Sequence, residues 1–116
     1  MPTCEILCNV LSADVDAKAL SAKVSVLVAQ LLSKPLGYMM TYVTVNPSLT
    51  LGGTDAPAAY VSIASIGAVG EPTNGIIVAE ATALVTRELG IQPERIFVGI
   101  RDMSVDSFGH NGQLFA

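Results

Sequence analysis

Two stretches of the chain repeat one pattern of strand, helix and strand, and this repeat limits the fold more than any other feature. In each stretch an apolar strand leads through turn residues to an amphipathic helix, and a proline then precedes a second strand. Pro93 lies 58 residues after Pro35, which is half of the 116-residue chain. Strands joined through a helix pair in parallel with a right-handed crossover. The sequence therefore predicts a single domain, residues 1–116, built from two similar βαβ units that cover about 1–58 and 59–116.

The limits of the predicted elements follow from periodicity and from turn residues. Apolar residues at helical spacing predict one helix over residues 14–32 and another over 77–89, which Gly90 ends. The predicted strands are apolar or β-branched runs bounded by turn residues, at positions 1–10, 38–45, 58–67 and 95–101. Both helices would cover one face of a four-stranded sheet. We therefore expect an α+β fold.

The composition indicates that the chain associates with copies of itself. Hydrophobic residues make up 51% of the chain and charged residues only 14%, against a usual charged share of about 25%. Apolar residues occupy both faces of the predicted sheet, yet the helices can cover only one of them. Copies of the chain would cover the other face, so we expect a homo-oligomer.

Several classes of protein are disfavoured by the distribution of charge. The longest apolar run, residues 24–32, is far shorter than the roughly 20 residues that a membrane span requires. The first charged residues are acidic, whereas a signal peptide opens with a basic segment, so we expect a cytoplasmic location. The net charge is −4 and the six Lys and Arg residues are scattered. Nucleic acid is therefore not expected as a partner.

The two cysteines, Cys4 and Cys8, are expected to be reduced and buried. On one strand they would lie about 13 Å apart at roughly 3.3 Å per residue, which is too far for a disulfide. Two thiols and a single histidine also make a poor metal site. We expect no metal and no cofactor.

The chemistry that Pro2 can perform depends on whether Met1 is removed. If Met1 is removed, the Pro2 nitrogen becomes a secondary amine on a rigid strand and a candidate general base. Ordinary α-amino groups titrate near 7.7–8.0, and desolvation or a nearby cation would lower the pKa of this amine toward neutrality, where a base works best. The alternative is that proline simply begins a strand, where no N–H is needed.

The order and spacing of several short motifs resemble one family over the whole chain, that of macrophage migration inhibitory factor and D-dopachrome tautomerase, within the tautomerase superfamily. These motifs are Pro2, Lys34-Pro35, Tyr38, Gly52-Gly53, Ser65-Ile66-Gly67, Pro93-Glu94-Arg95-Ile96, Asp102-Met103 and the segment Gly109 to Phe115. The resemblance implies a homotrimer with an active site at each subunit interface. It also implies that the processed Pro2 interconverts the keto and enol forms of small aromatic α-keto acids, such as phenylpyruvate, and of dopachrome derivatives.

The resemblance further assigns roles to particular residues. Lys34 would pair with the substrate carboxylate and lower the pKa of Pro2, although a lysine at a helix C-terminus is also stabilised by the helix dipole alone. Ser65 and Ile66 would form the pocket wall besides packing the strand. Tyr38 and Phe115 would stand at the pocket mouth, or alternatively fill an interface.

The chain departs from the family at three positions of the site. Phe97 replaces a tyrosine supplied by the neighbouring subunit and Gly99 replaces an asparagine, so two polar groups are lost. From Gly99 we expect a weaker preference for 4-hydroxyphenylpyruvate over phenylpyruvate. His110 stands at a tryptophan position, two residues after Phe108 at the pocket rim, where it could touch substrate and titrate near neutrality or lie exposed in a polar tail.

Three functions are compatible with this pattern. The first is a phenylpyruvate tautomerase that uses Pro2. The second is a cytokine-like protein, exported without a signal peptide, in which the same trimer binds a cell-surface receptor. The third is a ferredoxin-like regulatory domain that binds a small ligand, and this reading gives Pro2 no role.

Overall fold

The computed structural model describes residues 2–115, which form a four-stranded sheet, two helices on one of its faces and a small hairpin. In chain order the elements are β1 (Thr3–Cys8), α1 (Ala17–Leu32), β2 (Met40–Val45), β3 (Ala59–Ser65), α2 (Thr73–Leu89), β4 (Ile96–Asp102), β5 (Gly109–His110) and β6 (Gln113–Leu114). The predicted α+β class is confirmed.

The strand order in the main sheet is β2-β1-β3-β4. The two outer pairs, β1 with β2 and β3 with β4, are parallel, as the two βαβ units require. The central pair is antiparallel, with Thr3 opposite Ala64 and Cys8 opposite Ala59. Consequently the start of β1 and the end of β3 meet at the same edge of the sheet.

The element limits differ from the predicted ones where local hydrogen bonds intervene. The first helix begins three residues later than predicted, because the Asp16 carboxylate accepts a hydrogen bond from the Ala19 N–H and caps it. The second helix begins earlier, at Thr73. The second strand excludes Tyr38, because the Tyr38 N–H donates to the Pro35 carbonyl and closes a short 3₁₀ turn.

The core lies between the helices and one face of the sheet. Along β1 every second residue is buried, namely Cys4, Ile6 and Cys8, as the period of two requires. The helices turn their apolar stripes onto this face, with Leu20 and Val28 from α1 and Ile77 and Val85 from α2 as fully buried examples. Within residues 2–115 no helix is both long and apolar enough to cross a membrane.

The opposite face of the sheet, here called the open face, has no cover from the described residues. Its large apolar side chains are Met40 and Tyr42 on β2, Tyr60 on β3 and Phe97 on β4. They are 63%, 49%, 40% and 60% exposed respectively. An apolar and aromatic face of this extent is typical of a surface that meets another protein chain. It supports the expectation that copies of the chain associate through this face.

The loop at 46–57 is fastened to the sheet by the side chains of Asn9 and Arg95, a role that the sequence analysis assigned to neither residue. The Asn9 side chain accepts a hydrogen bond from the Ala58 N–H at 2.8 Å and donates to the Ala56 carbonyl at 3.0 Å. The Arg95 guanidinium donates to the same carbonyl at 3.0 Å. Backbone groups of the loop that lack strand partners are satisfied in this way.

Replacement of Asn9 should therefore destabilise the protein. Asn9→Ala removes the acceptor of the Ala58 N–H and the amide that donates to the Leu49 and Asp55 carbonyls, at a cost of about 1–3 kcal/mol in the free energy of unfolding. Urea unfolding at fixed protein concentration measures the change. Gln92→Ala removes an amide that is exposed and bonds none of residues 2–115 through its side chain, so its effect should stay within about 0.5 kcal/mol. Equal midpoints for the two variants would show that the Asn9 bonds contribute nothing.

The two cysteines should be unreactive in the folded protein. Burial, with a smaller contribution from the Glu5 carboxylate, raises the pKa of the Cys4 thiol to about 12. Burial also raises the pKa of the Cys8 thiol, against a backbone hydrogen bond at Val10 that lowers it. Because the thiolate is the reactive form, an aromatic disulfide reagent at pH 8 should titrate no thiol in native protein. It should titrate both in guanidinium, and rapid native labelling would contradict this.

Candidate active site

A cavity of about 320 Å³ opens at the edge of the sheet where β1 begins. Six of the described residues line it: Pro2, Lys34, Pro35, Tyr38, His110 and Phe115. Among residues 2–115, Lys34 is the only lysine or arginine in this lining, and no aspartate or glutamate contributes to it. The lining thus combines a potential amine base, one cation and aromatic walls. Four of the predicted site residues besides Pro2 are brought together here by one chain.

Pro2 lies directly before β1 and its side chain is fully buried. Its carbonyl accepts a hydrogen bond from the Met40 N–H at 3.2 Å, which continues the β1–β2 ladder by one step. The condition that Met1 be removed concerns a residue outside the described range. Within that range, Pro2 sits where desolvation would act on its nitrogen.

The turn that ends α1 directs Lys34 toward the cavity. Ser33 adopts the left-handed conformation, with φ of 53°, and the Lys34 N–H donates to the Ala29 carbonyl at 2.9 Å. This closes the helix as a C-terminal capping turn, with serine in the role more common for glycine. The Lys34 ammonium then donates to the Ile66 carbonyl at 3.2 Å. Two predicted site residues 32 positions apart are therefore in direct contact.

The segment after β3 is fixed by bonds to the end of β4. The Met103 N–H donates to the Ser65 carbonyl at 2.8 Å, and the Gly67 N–H donates to the Asp102 carboxylate at 3.0 Å. Ile66 is held between them, which explains how its carbonyl can orient Lys34. The sequence motifs at Ser65 to Gly67 and at Asp102-Met103 thus form one substructure.

Ser65 is fully buried, and its hydroxyl makes no hydrogen bond to any of residues 2–115. It follows Ala64, which pairs with Thr3 across the antiparallel strands. The same register carries Ser65 toward Pro2, which precedes Thr3. A buried hydroxyl without a partner is unusual. Ser65 does not line the cavity itself, and only the strand register places it next to Pro2.

The C-terminal hairpin forms the mouth of the cavity. Its strands β5 and β6 pair His110 with Gln113. The His110 ring meets Tyr38 edge-on at a centroid distance of 6.2 Å and stacks on Phe115, also at 6.2 Å. Phe108 lies behind Phe115 at 6.0 Å. His110 is exposed, as one of its two alternatives has it, and its ring packs between those of Tyr38 and Phe115 at the cavity.

Phe97 and Gly99 are not part of this cavity in a single chain. Both lie on β4 and face the open side of the sheet, where Phe97 lines a separate hollow of about 160 Å³ with Tyr60 and residues of the 46–57 loop. Neither residue lines the cavity of Pro2 within residues 2–115.

A larger groove of about 600 Å³ runs between the two helices. Its rim carries an exposed ion pair, Lys23 with Glu88 at 2.6 Å. Among the described residues its lining has no cysteine, histidine or serine, and its two carboxylates are Glu80, which is exposed, and Glu88, which is paired with Lys23. Within residues 2–115 no group of three or more metal-ligating side chains occurs. The smaller cavity at Pro2 is therefore the better candidate for catalysis.

Comparisons with known proteins agree with the geometry. The sequence profile of the macrophage migration inhibitory factor (MIF) family matches residues 1–116. The chain is 33% identical to a macrophage migration inhibitory factor homolog of Trichuris trichiura, over 99% of this chain and 100% of that protein. It is also 33% identical to macrophage migration inhibitory factor of Mus musculus, over 76% of each chain.

Solved structures give the same result for the fold. The chain superposes on the macrophage migration inhibitory factor homologue from Prochlorococcus marinus with a TM-score of 0.92 at 30% identity, over 98% of this chain and 99% of the other. The corresponding protein of Trichinella spiralis also gives a TM-score of 0.92, at 27% identity over 97% and 99% of the two chains. The chain therefore belongs to the macrophage migration inhibitory factor family and has its tautomerase fold.

Proposed function

We propose that the protein is a keto–enol tautomerase acting on aromatic α-keto acids such as phenylpyruvate, and on dopachrome-like compounds, with the nitrogen of processed Pro2 as general base. One observation carries this proposal: Pro2 lies buried at a cavity to which residues 2–115 contribute one lysine, Lys34, and no aspartate or glutamate. Burial and a nearby positive charge both disfavour a protonated amine. The amine would thus be neutral at the pH at which it must accept a proton.

The chemistry requires little beyond a base and a site for negative charge. In enolisation the Pro2 nitrogen takes a proton from the carbon next to the carbonyl. The electrons of that C–H bond form the carbon–carbon double bond, and the carbonyl oxygen takes a proton from water. Ketonisation is the reverse. The carbonyl oxygen becomes negative along the way, and a fixed positive charge stabilises it.

Lys34 supplies that charge and also binds the substrate carboxylate. Its ammonium has three donors, and one is already engaged by the Ile66 carbonyl. The bond to Ile66 fixes the direction of the side chain, so the remaining donors are available to the substrate. Ile66 therefore acts as a positioning residue through its backbone.

Ser65 is assigned a positioning role toward the base. Its buried hydroxyl has no partner within residues 2–115, and the strand register directs it toward Pro2. After removal of Met1 the Pro2 nitrogen gains an N–H or a lone pair that such a hydroxyl could bond. Loss of the hydroxyl would alter the orientation and pKa of the amine.

The aromatic side chains select the substrate ring. Tyr38, His110 and Phe115 form the mouth, with Phe108 supporting Phe115 from behind. Aromatic pairs in offset or edge-on contact are favourable beyond the area that they bury. A planar phenyl ring bearing a keto acid would fit between these walls with its carboxylate at Lys34.

The complete site requires a second subunit. Phe97 is 60% exposed on the open face, and in a homotrimer this face of one subunit would close the mouth of the next. Phe97 then supplies an apolar wall that further desolvates Pro2. The alternative function, receptor binding by a secreted protein, is suggested by relatives whose name refers to an effect on macrophages. The buried base beside Lys34 favours the enzyme.

Blocking the Pro2 nitrogen should abolish turnover without affecting assembly. A variant with one alanine inserted between Met1 and Pro2 begins with Ala-Pro once Met1 has been removed. The Pro2 nitrogen of this variant is part of a peptide bond and has no basic lone pair. A general base contributes roughly 10²–10⁴-fold, so the rate of phenylpyruvate ketonisation, followed by enol absorbance, should fall by at least about 100-fold. The intact mass verifies that Met1 has been removed, and light scattering verifies that the variant assembles as the wild type does. An inserted variant as active as wild type would rule out Pro2 as the base.

Lys34→Ala should change both binding and pH dependence. Loss of a charged hydrogen bond raises KM for phenylpyruvate by roughly 10- to 100-fold. Activity requires neutral Pro2 and is lost as pH falls through its pKa. Removal of the neighbouring cation raises that pKa, so the acidic limb of kcat/KM should move to higher pH. Lys18→Ala, at an exposed lysine of α1, is the control and should change neither KM nor the pH dependence of kcat/KM. If the acidic limb of kcat/KM stays in place in Lys34→Ala, Lys34 has no electrostatic effect on Pro2.

A further inference from the structure

Tyr60 occupies the space that a side chain at Gly99 would need. The two residues lie on adjacent strands of the open face, where Tyr60 pairs with Phe97 and Ser62 with Gly99. A Cβ placed on Gly99 would lie 2.7 Å from the Tyr60 hydroxyl oxygen and 3.4 Å from the nearest ring carbons. The phenol thus extends diagonally across the strand pair and rests over Gly99. It can do so only because residue 99 has no side chain.

The Tyr60 hydroxyl is free to serve a ligand. The side chain is 40% exposed, so the phenol is open to the side from which another molecule would approach. It forms no hydrogen bond within residues 2–115, whereas the phenol of Tyr42, on the same face, lies beside the Glu5 carboxylate. A phenol that is about to be covered requires a polar partner. Its strand partner on this face is the apolar Phe97, and within residues 2–115 the half-buried Ser62, which pairs with Gly99, makes no hydrogen bond to the phenol.

We infer that Tyr60 is a specificity-determining residue that recognises aromatic substrates bearing a hydroxyl opposite the keto-acid chain. The inference rests on the proposed function, in which the open face of one subunit closes the cavity of the next. With its carboxylate at Lys34 and its reacting carbon at Pro2, the far end of the substrate ring points to the cavity mouth. Phe97 and Tyr60 of the neighbouring subunit would both lie at this mouth. Phe97 would form an apolar wall, and Tyr60 would supply a hydrogen-bonding group.

This assignment reverses the expectation drawn from Gly99 alone. An absent side chain at position 99 suggests that a ring hydroxyl is no longer held. The phenol that fills the vacated space carries a donor and an acceptor in one group, which suffices to bind a hydroxyl. The chain should therefore prefer 4-hydroxyphenylpyruvate over phenylpyruvate.

The test compares kcat/KM for the two substrates in wild type, Tyr60→Phe and Gly99→Ala. A site built to bond a hydroxyl discriminates through that bond, and one hydrogen bond corresponds to roughly a 5- to 10-fold change. Tyr60→Phe should lower the ratio of 4-hydroxyphenylpyruvate to phenylpyruvate by that factor. Gly99→Ala, which displaces the phenol, should lower it similarly, and the two changes together should not add. Tyr42→Phe is the matched control and should keep the wild-type ratio.

The outcomes separate this inference from the proposed function. Light scattering first verifies that each variant assembles as wild type does. An unchanged ratio in Tyr60→Phe, with active enzyme, overturns the role of Tyr60 and leaves Pro2 as base untouched. An equal change in Tyr42→Phe likewise overturns it, because the effect would then belong to the open face in general. No turnover of either substrate by processed wild type overturns the proposed function and the inference together.

Discussion

The register between β1 and β3 is the constraint on which the site depends. Cys4, Ile6 and Cys8 must face the helices, and a slip of one residue would turn all three toward solvent. Their burial therefore fixes the antiparallel pairing, and this pairing carries Pro2 to Ser65 at the sheet edge. A residue that catalyses at the end of a strand is positioned by apolar side chains further along that strand. The packing of the core therefore also determines the geometry of the site.

The predictable part of the fold is the part that leaves a periodic pattern. Helices and strands bury alternate or helically spaced residues, so both βαβ units and their parallel pairs could be read from the sequence. The clamp of Asn9 on the 46–57 loop could not, because bonds from one amide to distant backbone groups impose no pattern on the loop. The same holds for the turn at Ser33, where serine adopts a conformation more typical of glycine.

Apart from Pro2, the residues of the candidate site were predictable only through resemblance to a family. Nothing local in the sequence indicates that the Lys34 ammonium meets the Ile66 carbonyl, because the contact is created by the way α1 and β3 both end at one edge of the sheet. The composition independently indicated that the chain associates with another copy. A chain with so little charge and an aromatic open face needs a partner surface, and a cavity whose mouth lies open needs a cover. One subunit contact would meet both requirements.

Residue-by-residue comparison with a family misses what neighbouring strands do together. Considered singly, Phe97 and Gly99 each remove a polar group. Considered with β3, the glycine is the reason that Tyr60 can lie across the strand and bring a hydroxyl to the same place. Diagonal neighbours on a sheet are within reach of an aromatic side chain, so a polar function can move from one strand to the next without loss. If Tyr60 acts in this way, the unit that determines specificity is the pair of residues 60 and 99, and neither position is informative alone.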